Sequence, residues 1–184
     1  MPQPEVMQIS YATRDIEATA RQLAELEGVG PFFLMEFPQH DAFYRGSRLP
    51  DPIVRVAFGY KGDLQYELSF APEGTPSIYS EMLDGRREAF HHTFQPFSDP
   101  FDVVAARYAA AGEPLAYQAT ASAARIRLGF VDARPRLGHF VELLETERMV
   151  GDEAYIYDIY AKIQAAAQGW SGQRPLRAIG ELTG

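Results

Sequence analysis

Phe90-His91-His92-Thr93-Phe94-Gln95, with Ser98-Asp99-Pro100 close behind, reads as a strand that carries histidine and runs straight into a helix. The chain contains an earlier stretch of the same kind. Met7-Gln8-Ile9-Ser10-Tyr11-Ala12-Thr13 leads through Arg14-Asp15-Ile16 into another helix. Gln8 stands seven residues before Asp15, and His92 stands seven before Asp99. The helices then reach Gly28 and Gly112, each thirteen residues past its aspartate. Three landmarks thus share one offset of 84 residues. Two copies of one module are expected, with the chemistry where the copies face each other.

Working outward, residues 7 to 13 are rich in β-formers, and Gln8, Ser10 and Ala12 share one face. Asp15 is placed to cap a helix whose apolar stripe is Ile16, Ala20, Leu23 and Ala24, and Gly28 is its stop. Residues 30 to 37 form the second strand, and the proline-rich stretch from Pro38 to Pro52 reads as a loop. Strands follow over 53–60 and 64–70, joined by the turn Lys61-Gly62-Asp63. A short helix at Ser77–Leu83 and a linker at 84–87 precede the second copy. There Asp99 is the expected cap and Pro100 the first helical residue. Phe101, Val104, Ala105 and Tyr108 make the stripe, and strands are expected over 115–119, 124–131 and 139–144. A helix over 152–167, with Tyr155, Ile159, Tyr160 and Ile163 on one side, leads to an irregular tail anchored by Trp170.

The fold class is therefore α+β: two tandem βαβββ modules in a curved open barrel around a central cleft, plus a C-terminal helix. The expected boundaries are 1–85, 86–150 and 151–184. Composition is that of an ordinary globular protein, with 46% hydrophobic and 23% charged residues. A net charge of −8 argues against nucleic-acid or anionic-membrane partners. No apolar run reaches transmembrane length and the N-terminus carries no secretory pattern, so a cytoplasmic location is the default. Cysteine is absent, leaving His, Glu, Asp and Gln as the side chains for a metal site.

The last strand of each copy places one glutamate among apolar residues: Gln65-Tyr66-Glu67-Leu68 and Phe140-Val141-Glu142-Leu143. An ionised carboxylate in such a wall costs several kcal/mol unless it is paired or bound to metal. A divalent ion between Gln8, Glu67, His92 and Glu142 satisfies both. One imidazole nitrogen and three oxygens suit Zn²⁺, Ni²⁺, Co²⁺ or Mn²⁺. His91 should face away from His92, because neighbours alternate on a strand. His40 and His139 read as surface residues.

This pattern resembles the vicinal oxygen chelate superfamily, which includes glyoxalase I, methylmalonyl-CoA epimerase, extradiol dioxygenases and bleomycin-resistance proteins. The resemblance covers about residues 6 to 147. The Gln-Glu-His-Glu set is similar to the metal quartet of the eukaryotic type of glyoxalase I, whereas Ser77-Ile78-Tyr79 and Ala89-Phe90-His91-His92 resemble methylmalonyl-CoA epimerase. The resemblance implies Gln8, Glu67, His92 and Glu142 as metal ligands, a small-molecule substrate and a homodimer. Ala12 and Ala71 stand where the glyoxalase has an arginine and an asparagine for glutathione, so glutathione is not expected. One histidine in the set also argues against ring-cleaving oxygenase chemistry. The expected function is a metal-dependent isomerase, epimerase or lyase that removes a proton beside a chelated carbonyl, with Glu142 as base and Glu67 as its alternative. The alternatives are a sequestering, resistance-type binder and a metal-free cyclase. Tyr44 and Arg45, in the supposed loop, are expected substrate contacts, and Arg48, Arg55, Arg125 and Arg127 are further candidates for binding anions.

Overall fold

The computed structural model describes residues 7–121, 126–145 and 155–182. The first module is β1 (Gln8–Thr13), α1 (Ile16–Glu27), β2 (Phe32–Tyr44), a two-residue β3 (Ser47–Arg48), β4 (Ile53–Lys61) and β5 (Leu64–Phe70). The second is β6 (Glu88–Phe94), α2 (Phe101–Ala110), β7 (Leu115–Ala121), β8 (Ile126–Val131), a one-turn α3 (Arg134–Leu137) and β9 (Phe140–Leu144). Then come α4 (Tyr155–Ala167) and β10 (Leu176–Ala178).

Local chemistry sets most boundaries. Asp15 accepts a hydrogen bond from the Ala18 amide, and Gly28 takes the left-handed conformation that ends α1, with φ of 69°. The second helix starts differently from the sequence expectation. Pro100 is its extended N-cap, so the helix opens one residue later. Asp99 pairs with Arg107.

The stretch read as a loop after Pro38 is largely strand. β2 pairs with β4 up to Pro38 and then with β7 from Gln39 to Tyr44. Proline has no N–H to give to a ladder, which suits the residue where the strand changes partner. The tail is also more ordered than expected. β10 adds in parallel to β2, and the Trp170 ring covers Gly30, where an added Cβ would lie 2.9 Å from it.

The strands run in the order β10-β2-β4-β5-β1-β6-β9-β8-β7, and β7 at the far edge also pairs with β2. Eight strands therefore close into a barrel, where the sequence suggested an open one. β1 and β6 run antiparallel at the join between modules, each flanked by its own parallel partner, β5 or β9. The two helices cover the outside. Ile16, Ala20 and Leu23 of α1 pack on Phe32, Ala57 and Leu68. Phe101 and Val104 of α2 pack on Val131 and Leu143. The inner faces hold Phe33, Val56, Phe58, Phe130 and Phe140, plugged by Ile78, Tyr79 and Leu83 from the segment between β5 and β6 and by Ile163 of α4.

Candidate metal centre

The register places two glutamates in equivalent positions. Glu67 on β5 lies opposite Ser10, two residues after Gln8. Glu142 on β9 lies opposite Phe94, two residues after His92. The pseudo-symmetry inferred from the sequence thus brings Gln8, Glu67, His92 and Glu142 onto the inner wall together. His92 is fully buried, and Glu67 and Glu142 are 6% and 8% exposed. His92 Nε2 lies 3.3 Å from Gln8 Oε1, 3.4 Å from Glu142 Oε2 and 3.8 Å from Glu67 Oε2. Ligands bonded at about 2.1 Å to one ion stand roughly 3.0–3.4 Å apart when adjacent, so the Gln8 and Glu142 spacings suit a single small cation and Glu67 would have to move in by a few tenths of an ångström. Glu67, His92 and Glu142 offer donor atoms within 4.8 Å of one another, a buried group able to hold a metal ion.

A supporting layer aims these donors. Gln8 Nε2 donates to Gln65 Oε1 at 2.6 Å, and Gln65 Nε2 donates to the Tyr60 hydroxyl at 2.8 Å. That chain leaves Gln8 Oε1 pointing at His92. The Ser69 hydroxyl donates to Glu67 Oε1, leaving Oε2 towards the cluster. Burial pushes the Glu67 carboxyl up to about 7; His92 and Ser69 oppose that rise, and the Glu142 charge adds to it. Burial disfavours the charged form of His92, but the charge of Glu142, its hydrogen bond to the ring and the charge of Glu67 together outweigh it and raise its pKa.

His91 does not face away from His92. A register shift in the β1–β6 ladder pairs Ser10 with His92 but Tyr11 with Phe90, so His91 is an extra residue on β6. Such a bulge breaks the alternation and turns two successive side chains inward. Both rings are fully buried, with Nδ1 of His91 2.7 Å from Nδ1 of His92. His91 Nε2 lies 3.2 Å from the Ile78 carbonyl oxygen. Tyr79, Phe130 and Phe140 box the His91 ring at centroid distances of 5.0, 5.4 and 5.1 Å. Burial, followed by the neighbouring His92, holds its pKa well below 6.5.

Gln8, Glu67 and Glu142 of the cluster form the polar part of the lining of a cavity. Its walls are otherwise mainly apolar, with Val56, Phe58, Leu128 and Phe130 among them, and Ile156 and Tyr160 of α4 reach in. Gln39 also lines it and accepts a hydrogen bond from the Tyr117 hydroxyl. Sequence reasoning missed Gln39, because Pro38 and the prolines beyond it made the stretch look like a loop. It also missed Gln65 and Ser69, whose alternation with Glu67 on β5 was the available signal.

Tyr44 and Arg45 are not brought to this cavity. Tyr44 ends β2 and donates to Glu81 at 2.5 Å, while Arg45 binds Glu81 and Asp132. Arg134 joins the same two carboxylates, so these groups form a charged clasp that ties the end of β2 and the β5–β6 segment to the second module. Arg48 pairs with Asp41, Arg55 with Glu36, and Arg127 with Asp102 and Glu145. Arg125 lies outside the described residues. His40 is an exposed partner of Asp51, and His139 is only partly buried and bonds the Phe140 carbonyl.

No protein-family model and no curated protein matches the chain. Solved structures do. Methylmalonyl-CoA epimerase from Mycobacterium tuberculosis superposes with a TM-score of 0.51 at 19% identity, over 77% of this chain and 87% of that one. A hypothetical protein from Bacillus halodurans C-125 superposes with a TM-score of 0.50 at 17% identity, over 76% and 92%. Two facing βαβββ modules around a polar-ended cavity are the vicinal oxygen chelate fold, and these likenesses show that fold for this chain. Among the described residues, no helix is long and apolar enough to cross a membrane.

Proposed function

We propose that this chain is a metal-dependent isomerase, epimerase or lyase that removes a proton beside the carbonyl of a small carbonyl or acyl compound. The observation that carries the reading is the buried Glu67–His92–Glu142 group at the polar end of an apolar cavity. Two carboxylates with one imidazole are expensive to bury and are stabilised by a divalent cation. The fold shared with an epimerase supports the same reaction class.

Gln8, Glu67, His92 and Glu142 would hold the ion, and Zn²⁺, Ni²⁺, Co²⁺ and Mn²⁺ suit that donor set. Bound there, it would supply Lewis-acid stabilisation of the oxygen that gains charge when the neighbouring proton leaves. The chain does the rest. Both carboxylates approach His92, but Ser69 fixes one oxygen of Glu67, whereas among the described residues no hydroxyl donates to Glu142. Glu142 therefore takes the proton and returns it to the other face or to a neighbouring carbon. The walls around Phe58, Leu128 and Phe130 exclude bulk water and favour a substrate with a short apolar substituent.

Incubation in D₂O with small 2-oxo acids, hydroxyketones and acyl thioesters tests this by proton NMR. The metal-loaded protein should exchange the proton next to the carbonyl of at least one class faster than buffer with the same metal. Tight binding of apolar compounds with no exchange in any class would instead establish the sequestering reading.

A further inference from the structure

We infer that His91 is a positioning residue: it holds a proton on Nδ1 of His92, so that Nε2 is the nitrogen His92 presents to the cluster. The argument begins with the β6 bulge, which turns His91 into the barrel beside His92. The Ile78 carbonyl oxygen 3.2 Å from His91 Nε2 can only accept, so that nitrogen carries the hydrogen. A neutral ring then has its lone pair at Nδ1. The 2.7 Å Nδ1–Nδ1 contact needs one hydrogen between the rings, since two lone pairs repel and two N–H groups collide. That hydrogen belongs to His92.

The opposite arrangement leaves a bare His91 Nε2 against a carbonyl, or a doubly protonated ring inside a box of Tyr79, Phe130 and Phe140. Both cost a buried polar group its partner or its solvation. With Nδ1 committed, His92 keeps Nε2 towards Gln8, Glu67 and Glu142. Outer partners of this kind fix the tautomer and ring orientation of a ligating histidine. Ile78, in the segment between β5 and β6, is thereby tied to the site through two imidazoles.

The tautomer claim stands on geometry, while its consequence for affinity rests on the metal reading above. Nitrogen-15 spectra of the metal-free protein near pH 8 test the first part. His92 Nδ1 should be protonated and His91 Nδ1 bare. A bare Nδ1 on His92 would overturn the inference, and the result stands whether or not metal binds. The second part uses Co²⁺ titration. His91→Ala should weaken binding about 10–100-fold, the range for lost outer partners. His91→Asn, whose Oδ1 replaces Nδ1 as acceptor, should restore most of it. Equal weakening by Ala and Asn, with both variants folded, would make His91 merely a packing residue.

Discussion

Replacing Glu142 with Gln is expected to slow proton exchange about 10²–10⁴-fold, the range contributed by a positioned general base. The fold should survive, because the amide keeps the volume of the carboxyl and removes a charge from an almost fully buried site. Glu142 is the choice over Glu67 because the Ser69 hydroxyl pins one oxygen of Glu67. The assay is the exchange experiment described above, run with metal in excess so that weakened binding does not pass for lost chemistry. Circular dichroism and the thermal midpoint report on the fold. Retained exchange would move the base to Glu67, and an unfolded variant would make Glu142 structural.

A second large effect is expected on stability, with a pH dependence set by Glu67. The carboxyl titrates at 4.5 when unperturbed and at about 7 in the folded protein. Between those values the unfolded chain loses the proton while the folded protein keeps it, so the folded state binds more protons. Stability from this group is therefore full below pH 4.5, falls as pH rises to about 7, and is flat above. Glu67→Gln has no such loss. In metal-free protein the variant should melt higher than the parent near pH 8, and the gain should vanish near pH 4.5. Added metal should reverse the order at pH 8, because the parent then recovers the ionised ligand that the variant lacks. A metal-free variant less stable than the parent at pH 8 would mean that the pairing with His92 outweighs desolvation.

Much of this architecture was legible because the chain repeats. The offset linking Gln8 to His92, Asp15 to Asp99 and Gly28 to Gly112 predicted two modules, and the register of β1 with β5 and of β6 with β9 has the same symmetry. The two glutamates stood out because charge in an apolar strand needs a reason. What escaped depends on contacts between residues far apart in sequence. Pro38 marks a change of partner in β2, which a local reading takes for a loop. The β6 bulge places both histidines inside, against the alternation that a regular strand imposes. Tyr44 and Arg45 looked free for substrate, but Glu81 and Asp132 hold them, and no local pattern joins those positions. Closure of the barrel by β2 and β7 was invisible for the same reason.

The claim at the centre is that Gln8, Glu67, His92 and Glu142 bind one divalent ion. Elemental analysis of the purified, unsupplemented protein tests it most directly, repeated after incubation with Ni²⁺, Co²⁺ or Zn²⁺ and removal of the excess. The expected result is about one equivalent of a transition metal per chain, reached at the latest after supplementation, from a site of this donor set. Occupancy below about one-third that none of the three ions raises would contradict the account.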